Sequence, residues 1–194
     1  PAPTGRGTSM QIVLPLVAPT ARQGDPNSWQ VNAEIEASIN QLKVGGGAVI
    51  RDYRMVGRLS DGELVLYNLL NGAMGRFVRL VPFRDGHLSV SMNSRGAKKK
   101  LEWRNGKPFV RARIRVDIST IAMSEYHPQT MDEIRELERL VERHLAEELT
   151  VFLDKTRGKG WDLLRVRSLL RRKAPKLEDL DRAADEAEIG VEIE

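Results

Sequence analysis

The 194-residue sequence contains no cysteine. Disulfides, thiolate nucleophiles, thiolate zinc sites and iron–sulfur clusters are excluded together, while the redox compartment stays undetermined because a chain without thiols suits reducing and oxidising surroundings alike. Histidine occurs only three times, scattered. No apolar run approaches the roughly 20 residues a membrane-spanning helix needs. The start at Pro1, without a basic segment or a cleavable apolar stretch, reads as an excised or processed piece whose address signal is gone. Catalytic signatures are missing too: there is no His-Glu-x-x-His, Gly-x-Ser-x-Gly, phosphate-binding loop or dinucleotide fingerprint between a strand and a helix. No named residues fill the roles of nucleophile, acid and base, so the reading is non-enzymatic, with no metal and no cofactor. What remains is 41% hydrophobic and 30% charged, enough to bury an ordinary core in one domain or two small lobes.

The net charge of +4 conceals segregated blocks. Residues 76–115 carry twelve Lys or Arg against Asp85 and Glu102, and residues 155–173 carry eight against Asp162. Opposed to them, residues 132–154 hold eight acids to three arginines, and residues 176–194 hold eight acids to two bases. The blocks can neutralise one another, whereas a nucleic-acid module gathers base without a matching acidic surface.

Residues 1–8 read as a flexible lead, and residues 10–19 as an edge or bulged strand because of Pro15. Trp29 to Ile39 alternates as a strand wet on one face. Gly45-Gly46-Gly47 reads as a bend or bulge ahead of two short strands, Ala48 to Arg58, joined at residues 52–54. Ser60 and Glu63 form a capping box for a helix from Asp61 to Leu70, stopped at Asn71-Gly72. Four strand-like segments follow, 76–83, 87–93, 98–104 and 109–118, with hairpin punctuation at 84–86, 94–96 and 105–106. The last of them alternates Val110, Ala112, Ile114, Val116 and Ile118 against Arg111, Arg113, Arg115 and Asp117. Arg111, Arg113 and Arg115 therefore share one face, either solvated, or paired with the acidic helix, or available as an interaction surface.

A second capping box, Thr130 with Glu133, opens a long helix to about Lys155, with Ile134, Leu137, Val141, Leu145, Leu149 and Phe152 as its buried stripe and His144 beside it. A shorter basic helix is read from Trp161 to Lys173; such a helix can lie on an anionic membrane surface, but its apolar residues fit the core better. Residues 188–194 alternate as a last strand. These elements define an α+β fold, a mainly antiparallel β-sheet with a long helix and a shorter C-terminal helix packed on it, and a possible division into two lobes near 82–87.

The stretch Gly47 to Leu59, followed by residues 60–72, resembles the C-terminal region of the Ger(x)C spore germination lipoproteins. Gly47, Ala48, Val49, Val56, Gly57 and Leu59 fit that family's Gly-x-Ala-Val-Phe-Lys-x-x-Lys-(Leu/Met)-Val-Gly-x-Leu pattern, while Ile50, Arg51 and Arg54 replace its Phe and two Lys conservatively. The order continues through Asn105-Gly106-Lys107-Pro108, the Glu-rich helix, and Gly158-Lys159-Gly160-Trp161-Asp162 leading to Arg171-Arg172-Lys173-Ala174-Pro175, with Ala174 where the family commonly has tyrosine. The resemblance spans residue 10 to the end. It implies the C subunit of a nutrient germinant receptor, lipid-anchored at the outer face of the spore inner membrane through a segment not present in this sequence, and partnered by the receptor's A and B membrane subunits. It implies a part in assembly or signalling, not catalysis. From another class, the competing reading is a basic-sheet nucleic-acid binder using Lys98 to Lys100 with Arg111, Arg113 and Arg115. A weaker third is a small-ligand receptor, for which only Trp29, Trp103 and Trp161 offer aromatic platforms, each more simply core or rim.

Overall fold

A computed structural model describes residues 11–19, 42–122 and 130–194. The lead at 1–8 and the strand expected from Trp29 to Ile39 lie outside these residues. The chain divides into two units between Leu64 and Val65.

In the first unit, β1 (Gln11–Pro19), β2 (Leu42–Arg51) and β3 (Arg54–Leu59) form an antiparallel sheet in that order. The glycine triplet lies inside β2, where the β1–β2 register slips between Pro15 and Val17. Gly46 takes φ +83°, and a Cβ there would press into the carbonyl of Leu59. The triplet thus builds the expected bulge, a conformation and a close approach that only glycine satisfies together. The strands β2 and β3 meet at Asp52-Tyr53, both with positive φ, the backbone of a two-residue hairpin that follows the right-handed strand twist.

Helix α1 (Asp61–Leu70) has the expected bounds. The Ser60 amide donates to Glu63 Oε2 at 2.8 Å and the Glu63 amide donates to Ser60 Oγ at 3.3 Å, the reciprocal capping box. Gly72 at φ +67° ends the helix, its amide donating to the Leu69 carbonyl.

The second unit is built on a four-stranded sheet ordered β4 (Arg76–Phe83), β5 (Gly86–Arg104), β6 (Lys107–Ala122), β7 (Glu188–Ile193). The first three run antiparallel and β7 runs parallel to β6, so the fold is α+β and mostly antiparallel. Two of the three expected hairpin turns are turns. The third, Ser94-Arg95-Gly96, is a bulge inside one long strand, with Gly96 at φ +113° and the register slipping between Ser94 and Gly96. Residues 87–93 and 98–104 are therefore one strand, because β6 is long enough to pair with both halves. Residues 82–87, where a boundary between lobes was expected, form the tight β4–β5 connection inside the second unit, and directly paired strands on either side hold it together.

Helix α2 (Met131–Gly158) carries the Thr130–Glu133 box and buries Leu137, Val141, Leu145, Leu149 and Phe152 as the three-four spacing requires. On the sheet, Phe77, Val81, Leu88, Val90, Met92, Val110, Ala112 and Ile114 are buried as well, and the helix lies against β7. Helix α3 (Val166–Lys173) starts five residues later than the sequence suggests. Asp162 occupies its N-terminus, accepting from the amides of Val166 and Arg167, and Arg165 turns left-handed at φ +58°, so Trp161 to Arg165 is a cap and turn. Helix α4 (Leu180–Glu186), capped by Asp179, was not legible within an acidic stretch and leads directly into β7.

Candidate functional site

Helices cover one face of the second sheet, and strand alternation sends Arg111, Arg113 and Arg115 to the other. The structure brings all three together there. Their partners are not the acidic helix but neighbouring strands. Arg111 Nη2 donates to Glu102 Oε2 at 3.1 Å and its Nη1 to Glu192 Oε1 at 2.6 Å. Arg113 reaches Glu192 Oε2 at 3.1 Å and Glu194 Oε1 at 2.9 Å, and Arg115 reaches Glu194 Oε2 at 3.1 Å. The order Glu102, Arg111, Glu192, Arg113, Glu194, Arg115 alternates in sign across three strands and sums to zero.

The hydrogen bond from Arg111 holds the Glu102 carboxyl below its ordinary range, with Lys100 adding to the effect at 3.4 Å. The same ladder keeps the Arg111 guanidinium firmly protonated. Arginine's planar fork suits this bridging, since one guanidinium serves two carboxylates at once. At one end Arg95 pairs with Asp117, and at the other the Arg104 guanidinium stacks 3.4 Å over the Phe109 ring.

The acidic partners Glu102, Glu192 and Glu194 were not singled out from the sequence. The signal was there in the alternation of 188–194, which matches the arginine period on β6 residue for residue. A guanidinium row neutralised in this way has little counterion to release and is a poor phosphate track, which weighs against the nucleic-acid reading.

On the same outward face, Val78 and Leu80 of β4 are 59% and 63% exposed, large for aliphatic side chains on a strand. The described residues also line a cleft of about 440 Å³ beside the C-terminal end of α2, among them Thr156, Trp161, Asp162, Arg167 and Asp185. Its charged groups are already engaged: Arg167 binds Asp181 and Asp185 at 2.8 and 2.7 Å, and Asp162 caps α3. Of the tryptophans, Trp161 is buried with Lys159 over its ring at 4.7 Å, Trp103 is half exposed, and Trp29 lies outside the described residues. His144 sits at the edge of the core, 3.8 Å from Glu148, which also faces Arg79 at 3.5 Å. No helix among the described residues is long and apolar enough to cross a membrane.

The second unit is thus an α+β unit with helices over one face of its sheet and an ordered ladder of alternating charge on the other. Residues 45–194 match the family described as "Spore germination B3/ GerAC like, C-terminal", and the chain belongs to that family. Among solved structures, the crystal structure of the GerBC protein is similar in fold, with a TM-score of 0.67 at 18% identity over 79% of this chain. The chain spans about half of that structure, 51% of its length. No curated protein matches the chain.

Proposed function

We propose that this chain is a non-enzymatic domain of a spore germinant-receptor C subunit, acting in receptor assembly or germination signalling. The family membership of residues 45–194 carries the reading. Its partners are the receptor's A and B membrane subunits, and its place is the outer face of the spore inner membrane, held there by a lipid anchor on the full-length protein.

The sheet face that bears the arginine row supplies the docking surface. Arg111, Arg113 and Arg115 with their glutamates present a fixed pattern of alternating charge, and Val78 and Leu80 add apolar area toward the β4 edge. Such a pattern favours one register of a complementary partner over others, since like charges brought together across an interface are costly. Arg113 is central. Arg113→Glu places a third carboxylate beside Glu192 and Glu194 and should abolish co-purification of the A and B subunits from spore membranes, with loss of nutrient-triggered germination. Arg113→Lys, which keeps the charge, should retain part of both. Unchanged co-purification and wild-type germination in the Glu variant would overturn the assignment of this face.

A further inference from the structure

Helix α3 buries Val166, Leu169 and Leu170 and turns its other side outward. Arg165, the left-handed residue just before it, and Arg172 in its last turn are exposed at its two ends, Ser168 is exposed between them, and Lys173 and Lys176 continue the exposed positions through the turn that follows. None of Arg165, Arg172, Lys173 and Lys176 forms an ion pair with a described acid. Most nearby carboxylates are used elsewhere: Asp162 caps α3, Asp179 caps α4, Asp181 and Asp185 hold Arg167, and Glu186 holds Arg182, while Glu178 is exposed in the turn before α4.

The C-terminal dipole of α3 accounts for base at Arg172 and Lys173, but it disfavours base at Arg165, which stands at the opposite end. The positive field there is felt by a neighbour. Lys99 is pushed down to about 8, chiefly by burial and next by Arg165. None of these four cations lines the cleft beside the C-terminal end of α2 or the one between α2 and β6, and each is exposed as a surface group.

We infer that the exposed side of α3 and the turn after it, Arg165, Arg172, Lys173 and Lys176, is a docking surface for an anionic phospholipid membrane. A planar array of headgroups meets a broad row of unpaired cations without needing a pocket, and each cation near such a surface adds an independent electrostatic increment. The inference rests on this charge geometry and holds whether or not the opposite sheet face binds receptor subunits.

The test is co-sedimentation of the purified chain with vesicles of phosphatidylcholine alone and of phosphatidylcholine with phosphatidylglycerol, at low and high salt. Binding should require phosphatidylglycerol and fall with added salt. Arg165→Gln with Arg172→Gln and Lys176→Gln should lower partitioning by about fivefold per charge removed, on the order of a hundredfold in all. Arg139→Glu, a two-charge change on the exposed side of α2, should leave it within about twofold by the same per-charge reasoning applied away from the surface. Lys176→Gln alone, outside any helix, gives the single-charge decrement should the triple variant not fold. No retention on anionic vesicles, equal retention by the variants, competition by millimolar inorganic phosphate, or retention on immobilised polyglutamate in place of vesicles would each overturn the inference.

Discussion

Gly190 lies under the ring of Phe109, where a Cβ would come 2.6 Å from Cζ. The ring in turn carries the Arg104 guanidinium, so one missing side chain on β7 seats an aromatic and a cation on the outward face. Gly190→Val should cost about 1–3 kcal/mol through overpacking, measured by urea denaturation, and Phe109→Leu in the same chain should recover part of it. Nothing in the sequence around Gly190 announces this role, because a glycine in a strand looks the same whether it makes a bulge, as Gly46 does, or admits a neighbour. Lys99 is a second case that the alternation hides. It occupies an inward position on β5, donating to Asn71 Oδ1 at 2.8 Å and the Leu164 carbonyl at 3.4 Å. With its folded value near 8 against an ordinary 10.5, the unfolded chain binds more protons between those limits, and stability should rise with pH through that window. Lys99→Met should flatten the slope there, read as the difference between the two chains' denaturation midpoints from pH 7.5 to 10.5.

Elements with a local signature were legible to the residue. The box of Ser60 and Glu63 and the stop at Gly72 mark α1, and the box of Thr130 and Glu133 marks the start of α2. Thr130→Ala removes the side-chain acceptor for the Glu133 amide and should cost about 1 kcal/mol in thermal or urea unfolding, with Thr130→Ser near neutral. Elements decided by distant partners were not. Ser94-Arg95-Gly96 has turn chemistry, and whether it turns or bulges depends on the length of β6, which local residues do not encode. The left-handed Arg165 delayed α3, and α4 is too short and polar to show a stripe. The charge blocks did foreshadow pairing, mostly with the C-terminal acids: those of 176–194 meet Arg111, Arg113 and Arg115 across the sheet and Arg167 between α3 and α4, while α2 contributes Glu148 to Arg79. The candidate site was thus legible in its cations and not in its anions, since the arginine period lies within one strand and its neutralisation comes from two others.

At the scale of the whole chain, the division at Leu64 separates the bulged three-stranded sheet from the helix-covered one. Gly46→Val, strained at φ +83° and pressed against the Leu59 carbonyl, should speed amide hydrogen exchange in β2 and β3 while leaving protection in α2, β5 and β6 unchanged. Loss of protection in both would mean that the units unfold together. The parallel strand β7 has its own consequence. Arg113 and Glu192 are 79 residues apart in sequence yet share a hydrogen bond on adjacent strands. A parallel neighbour cannot be reached by a tight turn, so α2, α3 and α4 lie between β6 and its partner. During synthesis, β4, β5 and β6 leave the ribosome before β7, with the β6 edge still unpaired and the arginine row holding Glu102 but neither Glu192 nor Glu194. The strand that quiets both arrives after three helices, which makes β7 docking the expected slow step in folding and the newborn chain's interval of greatest exposure to aggregation.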